Sequence, residues 1–193
     1  MIAFLSKAAW DPHATAEAVA DDQFRAVCGD GCVADMRTLL RELGAATKQL
    51  EYEGLGFSFP VPGMMMKHWK AGAMPGYLTD VRGHYELALA AAQRAQAQAP
   101  PEGRKQLDYW VGRLEFGIGY LDTVAAIKRA ATAEAAKQTP EAVAQGEAAL
   151  QALRQAIEAY ARVAGDRSDV GAVAVLNEYG YRPLQDKVAK LKK

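Results

Sequence analysis

The amino-acid sequence predicts an all-α protein, a helical bundle of about four long helices with short helices at both ends. Three observations lead to this fold class. Apolar residues recur every three or four positions in each long segment, which is the period of an amphipathic helix. The alternation of apolar and polar residues that is typical of strands is almost absent, and residues that favour a helix start, such as Thr15 and Pro140, stand where the segments begin. We therefore expect a single helical domain over residues 1–193.

The N-terminal region is predicted to contain two helices. The first covers about Ile2–Trp10, and it ends there because Pro12 disfavours a helical conformation at Asp11. Thr15 is a favourable N-cap for a second helix that reaches Val27, where the sequence GDG interrupts it.

The next two helices are long and are separated by an irregular stretch. Residues 54–72 carry several glycines and prolines, and we expect an irregular loop and one short helix there. The long helix before this stretch has the apolar stripe Met36, Leu39, Leu40, Leu43 and Leu50. The long helix after it starts near Pro75 and has the stripe Leu78, Val81, Tyr85, Leu89 and Ala92.

The longest predicted helix covers about Arg104–Lys137, after a turn at QAPPEG. Its apolar residues follow a heptad spacing: Leu107, Val111, Leu114, Ile118 and Leu121. Gly112, Gly117 and Gly119 lie inside it, and each costs about 1 kcal/mol of helix stability relative to alanine. Three such residues predict that another helix or an aromatic ring packs very close to this backbone.

The C-terminal region begins with a helix for which Thr139 is the predicted N-cap and Pro140 the first helical residue. A short helix is expected from Ser168, with Gly180 as its C-cap. Pro183 then opens the last helix.

Charge and hydropathy argue against two classes of partner. The chain has 23 Lys and Arg against 23 Asp and Glu, so it lacks the basic surplus of a nucleic-acid-binding protein. No apolar run approaches the roughly 18 to 20 residues that span a bilayer, and the start lacks the features of a signal peptide. We expect neither nucleic acid nor membrane as a partner, and the compartment is not predicted.

Cys28 and Cys32 are the two cysteines of the chain, with Asp30 between them, and they allow three interpretations. A zinc site would need two more ligands at paired spacing, which the sequence does not supply. A disulfide across so short a loop is constrained in geometry. The simplest interpretation is a pair of buried thiols, so we expect no metal and no cofactor.

The sequence GMMMKHWK contains Met65 and Trp69, residue types that are common on adaptable binding surfaces. The alternative is a short apolar segment that docks beneath the irregular loop. His68 in this segment and His84 in the following helix are the weak candidates for catalytic residues, although a lone histidine on a helix is more often a packing residue. No recognised catalytic motif is present.

The sequence LNEYGYRPL contains a polar and aromatic cluster formed by Asn177, Tyr179, Tyr181 and Arg182. These side chains could present hydrogen bonds and a ring face to a sugar or a protein partner. The alternative is a helix end held by its own side chains, with Arg182 paired to a carboxylate.

Two stretches resemble a known family. Residues 6–43 and 166–185 resemble parts of the helical region, largely of unknown function, that follows the catalytic barrel in bacterial glycoside hydrolases related to the hexosaminidase and α-glucuronidase groups. The barrel is absent from this chain. The resemblance implies that Cys28 and Cys32 occupy helix-packing positions. The matching residues are Trp10, Asp11, Pro12, Asp21, Phe24, Gly29, Met36 and Arg37.

Three functions follow as hypotheses. The resemblance implies a non-catalytic accessory domain or fragment of a carbohydrate-active hydrolase, with the barrel or a carbohydrate as partner. The second is a small hydrolase with weak activity toward activated phosphate or sulfate esters, in a cleft near His68 and His84. The third is a structural helical protein that assembles with itself. We expect a homodimer in which Trp10 or Trp69 is covered, because a surface that lost its barrel would leave apolar area in water.

Overall fold

The computed structural model describes residues 2–52 and 62–193. The predicted fold class is confirmed: these residues form an all-α structure in which four long helices, each of 20 residues or more, pack together between shorter ones. The helices are α1 (Ile2–Ala8), α2 (Ala16–Cys28), α3 (Val33–Tyr52), α4 (Gly76–Gln98), α5 (Pro101–Ala135), α6 (Thr139–Ala161), α7 (Arg167–Leu176) and α8 (Arg182–Leu191). None of the helices in these ranges is long and apolar enough to cross a membrane.

The core is organised around α5, which packs along α6 on one side and along α4 on the other, while α3 packs on α4. The predicted heptad accounts for the central place of α5, because its residues Leu107, Leu114 and Leu121 are all fully buried. One hydrophobic cluster runs from α2 through α8.

The glycines of α5 lie where neighbouring groups approach its backbone, as the sequence predicts. A Cβ atom placed on Gly119 would lie 2.7 Å from the Cβ of Ala156 on α6. A Cβ on Gly117 would lie 3.4 Å from the ring of Tyr85 on α4. The contact at Gly119 is too close for a side chain, so α6 packs directly on the α5 backbone there. The contact at Gly117 is close to an ordinary van der Waals distance.

The break between α2 and α3 also follows the sequence. Thr15 caps α2, since its hydroxyl accepts a hydrogen bond from the backbone N–H of Ala18 at 3.2 Å. Gly29 has φ +83°, a conformation that favours glycine, and one turn of 3₁₀ helix follows over Asp30–Cys32. Part of the irregular stretch predicted at 54–72 lies outside the described residues, and the described part contains a 3₁₀ turn at Met66–His68.

Two predicted helix starts are wrong by a few residues. The N-cap of α6 is Gln138, not Thr139, so the helix begins one residue earlier than predicted. The chain turns just before it at Lys137, which has φ +58°. The longest helix starts at Pro101 rather than near Arg104. Proline is tolerated in the first turn, where its missing N–H would have no helical partner.

The predicted C-cap at Gly180 is also wrong. The chain continues from α7 through a π turn at Asn177–Tyr181 directly into α8. Gly180 is buried, and a Cβ at this position would lie 3.5 Å from Cγ of Met65, an ordinary van der Waals distance. The contact with Met65 therefore does not require a glycine.

Candidate ligand-binding site

The two cysteines are buried thiols, which agrees with the simplest interpretation of their spacing. Cys28 is 1% exposed and Cys32 is fully buried, and neither forms a disulfide. The Cys28 thiol donates to the carbonyl of Phe24 at 3.2 Å, and the Cys32 thiol donates to the carbonyl of Cys28 at 2.7 Å. Burial raises the pKa of Cys28 to about 12. The described residues contain no cluster of three His, Cys, Asp or Glu side chains suited to a metal, and Asp30 pairs with Arg25.

The methionine-rich segment docks into the protein. Met65 is fully buried. The indole N–H of Trp69 donates to Glu134 at 2.6 Å, and the ammonium of Lys187 lies 5.0 Å above the Trp69 ring while it pairs with the same carboxylate. The structure therefore places both predicted ligand-contact residues in packing contacts, Trp69 with side chains of α5 and α8 and Met65 in the hydrophobic core.

His68 is more than nine-tenths buried and packs edge-on against Tyr120, with 6.3 Å between the ring centroids. Burial lowers the pKa of His68 to about 4, and the nearby lysines act in the same direction. Its Nε2 atom has no hydrogen-bond partner among the described residues. At neutral pH this imidazole is uncharged.

His84 bridges two helices. Its Nδ1 atom lies 2.7 Å from the buried carboxylate of Glu42 on α3, and Arg41 donates to the other oxygen of that carboxylate. The hydrogen bond with His84 is the main reason why the pKa of Glu42 is lowered. The two histidines thus lie in different surroundings, and no described contact joins them. Hydrolysis of activated esters stays a prediction that an activity assay would decide.

The C-terminal polar cluster is mostly at the surface. Arg182 pairs with Glu178 at 2.8 Å, as the alternative interpretation expects. Asn177 is exposed, while Tyr179 and Tyr181 are half-buried. Tyr181 lies in a shallow groove between α6 and α8.

A cavity of about 390 Å³ lies elsewhere, between α3, α4, α5, α6 and α7. Its wall is largely apolar, and rings make up much of it. One side chain with a full charge, Arg113, belongs to the described wall. The aromatic members are Tyr85, Trp110, Phe116, Tyr120 and Tyr160, and the aliphatic members include Leu43, Met64, Leu114 and Leu176.

The spacing of residues on α5 explains most of this cavity. Trp110, Arg113, Gly117 and Tyr120 succeed one another at intervals of three or four, so they share one face of the helix. The ring of Tyr85 lies beside Gly117 and forms part of the wall. The heptad through Leu107 and Leu114 drew attention to the core face of α5, and the adjoining aromatic face was missed. A search for rings with the same spacing beside a single arginine would have found it.

Arg113 stands over an aromatic surface. Its guanidinium carbon lies 4.4 Å from the centroid of the Tyr160 ring and 5.9 Å from that of Tyr109, which are cation–π distances. No described carboxylate lies within 4.0 Å of it. The arginine is exposed to solvent at the edge of the cavity.

Asp169 attaches α7 to the cavity wall. Its carboxylate accepts hydrogen bonds from the hydroxyl of Tyr160 at 2.7 Å, the hydroxyl of Tyr109 at 3.1 Å and the backbone N–H of Gly165 at 3.0 Å. These bonds, that of Gly165 first, hold the pKa of Asp169 below its usual value. Burial and the bond to Asp169 raise the pKa of Tyr160.

The buried phenols of the wall are neutral at physiological pH. Burial raises the pKa of Tyr85 to about 12, although Arg113 acts in the opposite direction, and burial raises the pKa of Tyr120 to about 12. The cavity therefore offers neutral rings and aliphatic groups inside, and one cation at its edge.

No family model, no curated protein and no solved structure matches this chain. The resemblance to the helical region of barrel-type glycoside hydrolases therefore stays a prediction.

Proposed function

We propose that this chain is a non-catalytic helical binding domain whose cavity holds the apolar body of a small organic molecule. The observation that carries the proposal is the cavity itself, a concave space of about 390 Å³ with a largely apolar and aromatic wall. Ligand sites in proteins are typically clefts of about 300–1,000 Å³ with such a lining and a few polar groups.

The volume limits the size of the ligand. An apolar protein cavity of about 150 Å³ is large enough for benzene. The cavity of this chain is more than twice that size, so a body of about two fused rings is a suitable fit. Because rings such as Trp110 and Phe116 present flat faces, a planar aromatic body would make more contact area than a branched aliphatic one.

Titration with N-phenyl-1-naphthylamine, a neutral dye that fluoresces in apolar surroundings, tests the proposal. We expect saturable binding to the folded protein. Ala172 lies in the cavity wall on α7, so Ala172→Phe should fill part of the space and weaken binding about tenfold or more. Ala174→Phe is the matched control, because Ala174 is exposed on the same helix and is not part of the described wall, and it should bind the dye normally.

The outcome is decided by the pair of variants together with circular dichroism, which shows whether each is folded. Absence of saturable binding to the wild-type protein would overturn the proposal. Equal dye affinity of folded Ala172→Phe and Ala174→Phe proteins would mean that the dye binds elsewhere, and would overturn it as well.

An accessory role beside a catalytic barrel is a second proposal, favoured by the surface near the N-terminus. Trp10 is 92% exposed and Leu5 on α1 is 59% exposed, so a partner domain could bury apolar area there. If a barrel domain of the resembling hydrolases binds this surface, its addition should protect Trp10 from quenching by acrylamide. Trp10→Ala should abolish the association, whereas Tyr52→Ala, at another exposed ring, should not. Unchanged quenching would contradict the proposal.

A further inference from the structure

The wall of the cavity contains one cation, Arg113, that forms no ion pair with a described carboxylate. Arg113 has no described carboxylate within ion-pair distance, whereas Arg82 and Arg154 on the long helices each pair with an acidic side chain. Arg104 and Arg129 on α5 also lack an acidic partner, but each donates a hydrogen bond to another residue. We infer that the ligand carries one carboxylate, which binds the guanidinium of Arg113 while its apolar body lies among the aromatic rings of the cavity. This inference rests on the proposed binding function and specifies its ligand class.

The nearest acidic groups are already engaged. Asp169 is close enough for Arg113 to contribute to its lowered pKa, but its two oxygens accept hydrogen bonds from Tyr109, Tyr160 and the backbone of Gly165. Glu115, two residues further along α5, pairs with Arg162 at 2.7 Å. The N–H groups of Arg113 are therefore free, among the described residues, to meet an acceptor on a ligand.

The position of the guanidinium suits a carboxylate. A guanidinium that stacks on an aromatic ring keeps its edge open, and this edge presents parallel N–H donors that match the two oxygens of a carboxylate. The cation–π contact with Tyr160, at 4.4 Å from the ring centroid, favours one position of the group before a ligand arrives. Because Arg113 is exposed at the edge of the cavity, the charged head of the ligand would stay near water while the body is buried.

A single negative charge fits better than the double charge of a phosphate monoester. Arg113 is the sole basic side chain in the described wall of the cavity. The buried phenols of Tyr85 and Tyr120 are neutral, so they add no positive charge. A phosphate monoester would bring more negative charge than one exposed guanidinium balances, whereas a carboxylate would be matched.

The experiment compares three ligands with the same body, measured by isothermal titration calorimetry on the full chain near neutral pH. The ligands are 2-naphthoate, 2-naphthamide and 2-naphthylmethylamine, which carry an anionic, a neutral and a cationic head. We expect 2-naphthoate to bind about tenfold more tightly than 2-naphthamide, as is typical of a hydrogen-bonded charged pair. The amine should bind most weakly. Added salt should lower the affinity for 2-naphthoate more than the affinity for 2-naphthamide.

Variants assign this preference to one residue. Arg113→Met keeps an unbranched side chain without the charge, so the affinity ratio of carboxylate to amide should fall to about one. Arg154→Met changes the net charge of the protein equally at an exposed residue that pairs with Glu158 and is not part of the described wall, so it should keep the wild-type ratio.

The possible results separate the two proposals. Equal affinity of the wild-type protein for 2-naphthoate and 2-naphthamide would overturn the carboxylate inference and leave the cavity as a binding site for neutral ligands. Binding of neither ligand would overturn both proposals. A carboxylate preference that persists in folded Arg113→Met protein would also overturn the inference, because a positive charge other than that of Arg113 would then bind the carboxylate.

Discussion

Gly103→Ala tests how closely α5 approaches α2. A Cβ atom at this position would overlap the carbonyl oxygen of Val27 and lie 2.8 Å from the carbonyl carbon and 3.3 Å from Cα of Cys28. These are backbone atoms at the end of α2, so no side-chain rotation relieves the overlap and the two helices must move apart. Overpacking costs about 1–3 kcal/mol and more where the backbone shifts, while alanine returns at most about 1 kcal/mol of helix propensity. We expect the free energy of unfolding to fall by about 2 kcal/mol or more.

Urea unfolding followed by far-ultraviolet circular dichroism measures this change. Gly44→Ala is the matched control, because Gly44 is exposed on α3 and a Cβ there would meet nothing within 4 Å. It should raise the free energy of unfolding by about 0.5–1 kcal/mol, since glycine is unfavourable within a helix. A Gly103→Ala protein as stable as the wild type would refute the close approach of α2 and α5.

Three further predictions concern the thiols, the α7 attachment and self-association. Cys28 and Cys32 should react with a thiol reagent far more slowly in the native protein than in denaturant, because both side chains are buried and burial raises the pKa of Cys28; equal rates would contradict this. The folded-state pKa of Asp169 is lowered, so its stabilising effect should be complete above the ordinary carboxyl pKa of about 4 and lost at lower pH. Urea titrations should therefore show that the wild type and Asp169→Asn differ less in free energy of unfolding as the pH falls. A difference that does not change with pH would count against a stabilising role of the Asp169 carboxylate. We also expect a homodimer that buries Trp10, which light scattering and the loss of the dimer in Trp10→Ala would show; a monomer at high concentration would contradict it.

The helices were predictable because their signals are local. Apolar periodicity, the Thr15 cap and the costly glycines of α5 depend on residues a few positions apart, and each of these predictions is confirmed. Gly180 misled the prediction because a glycine followed closely by a proline is typical of a helix end, whereas in this protein a π turn carries the chain from α7 directly into α8.

The cavity was harder to predict because its parts come from distant segments. Tyr85, Tyr160 and Asp169 lie on three different helices, and their proximity to Arg113 depends on how those helices pack. Sequence reasoning therefore selected His68 and His84, which are chemically prominent residue types. A tyrosine in a helical stripe is equally consistent with a core position, and Tyr85 and Tyr160 are in fact buried while they line the cavity.

The position of α7 connects the stability of the bundle with its proposed binding function. This helix has only ten residues, and Gly171 within it has open space where a side chain would lie, so its own helix propensity contributes little to its position. It is held at one end by the bonds of Asp169 and continues at the other into a π turn, a feature that often accompanies functional sites. Between these ends, Ala172 and Leu176 form part of the cavity wall. Because a ligand in the cavity would contact α7 on this side, binding would stabilise α7 in the same orientation that Asp169 already favours. The aromatic face of α5 thus forms one wall of the cavity and α7 forms part of another, so a ligand that binds as proposed would contact both helices.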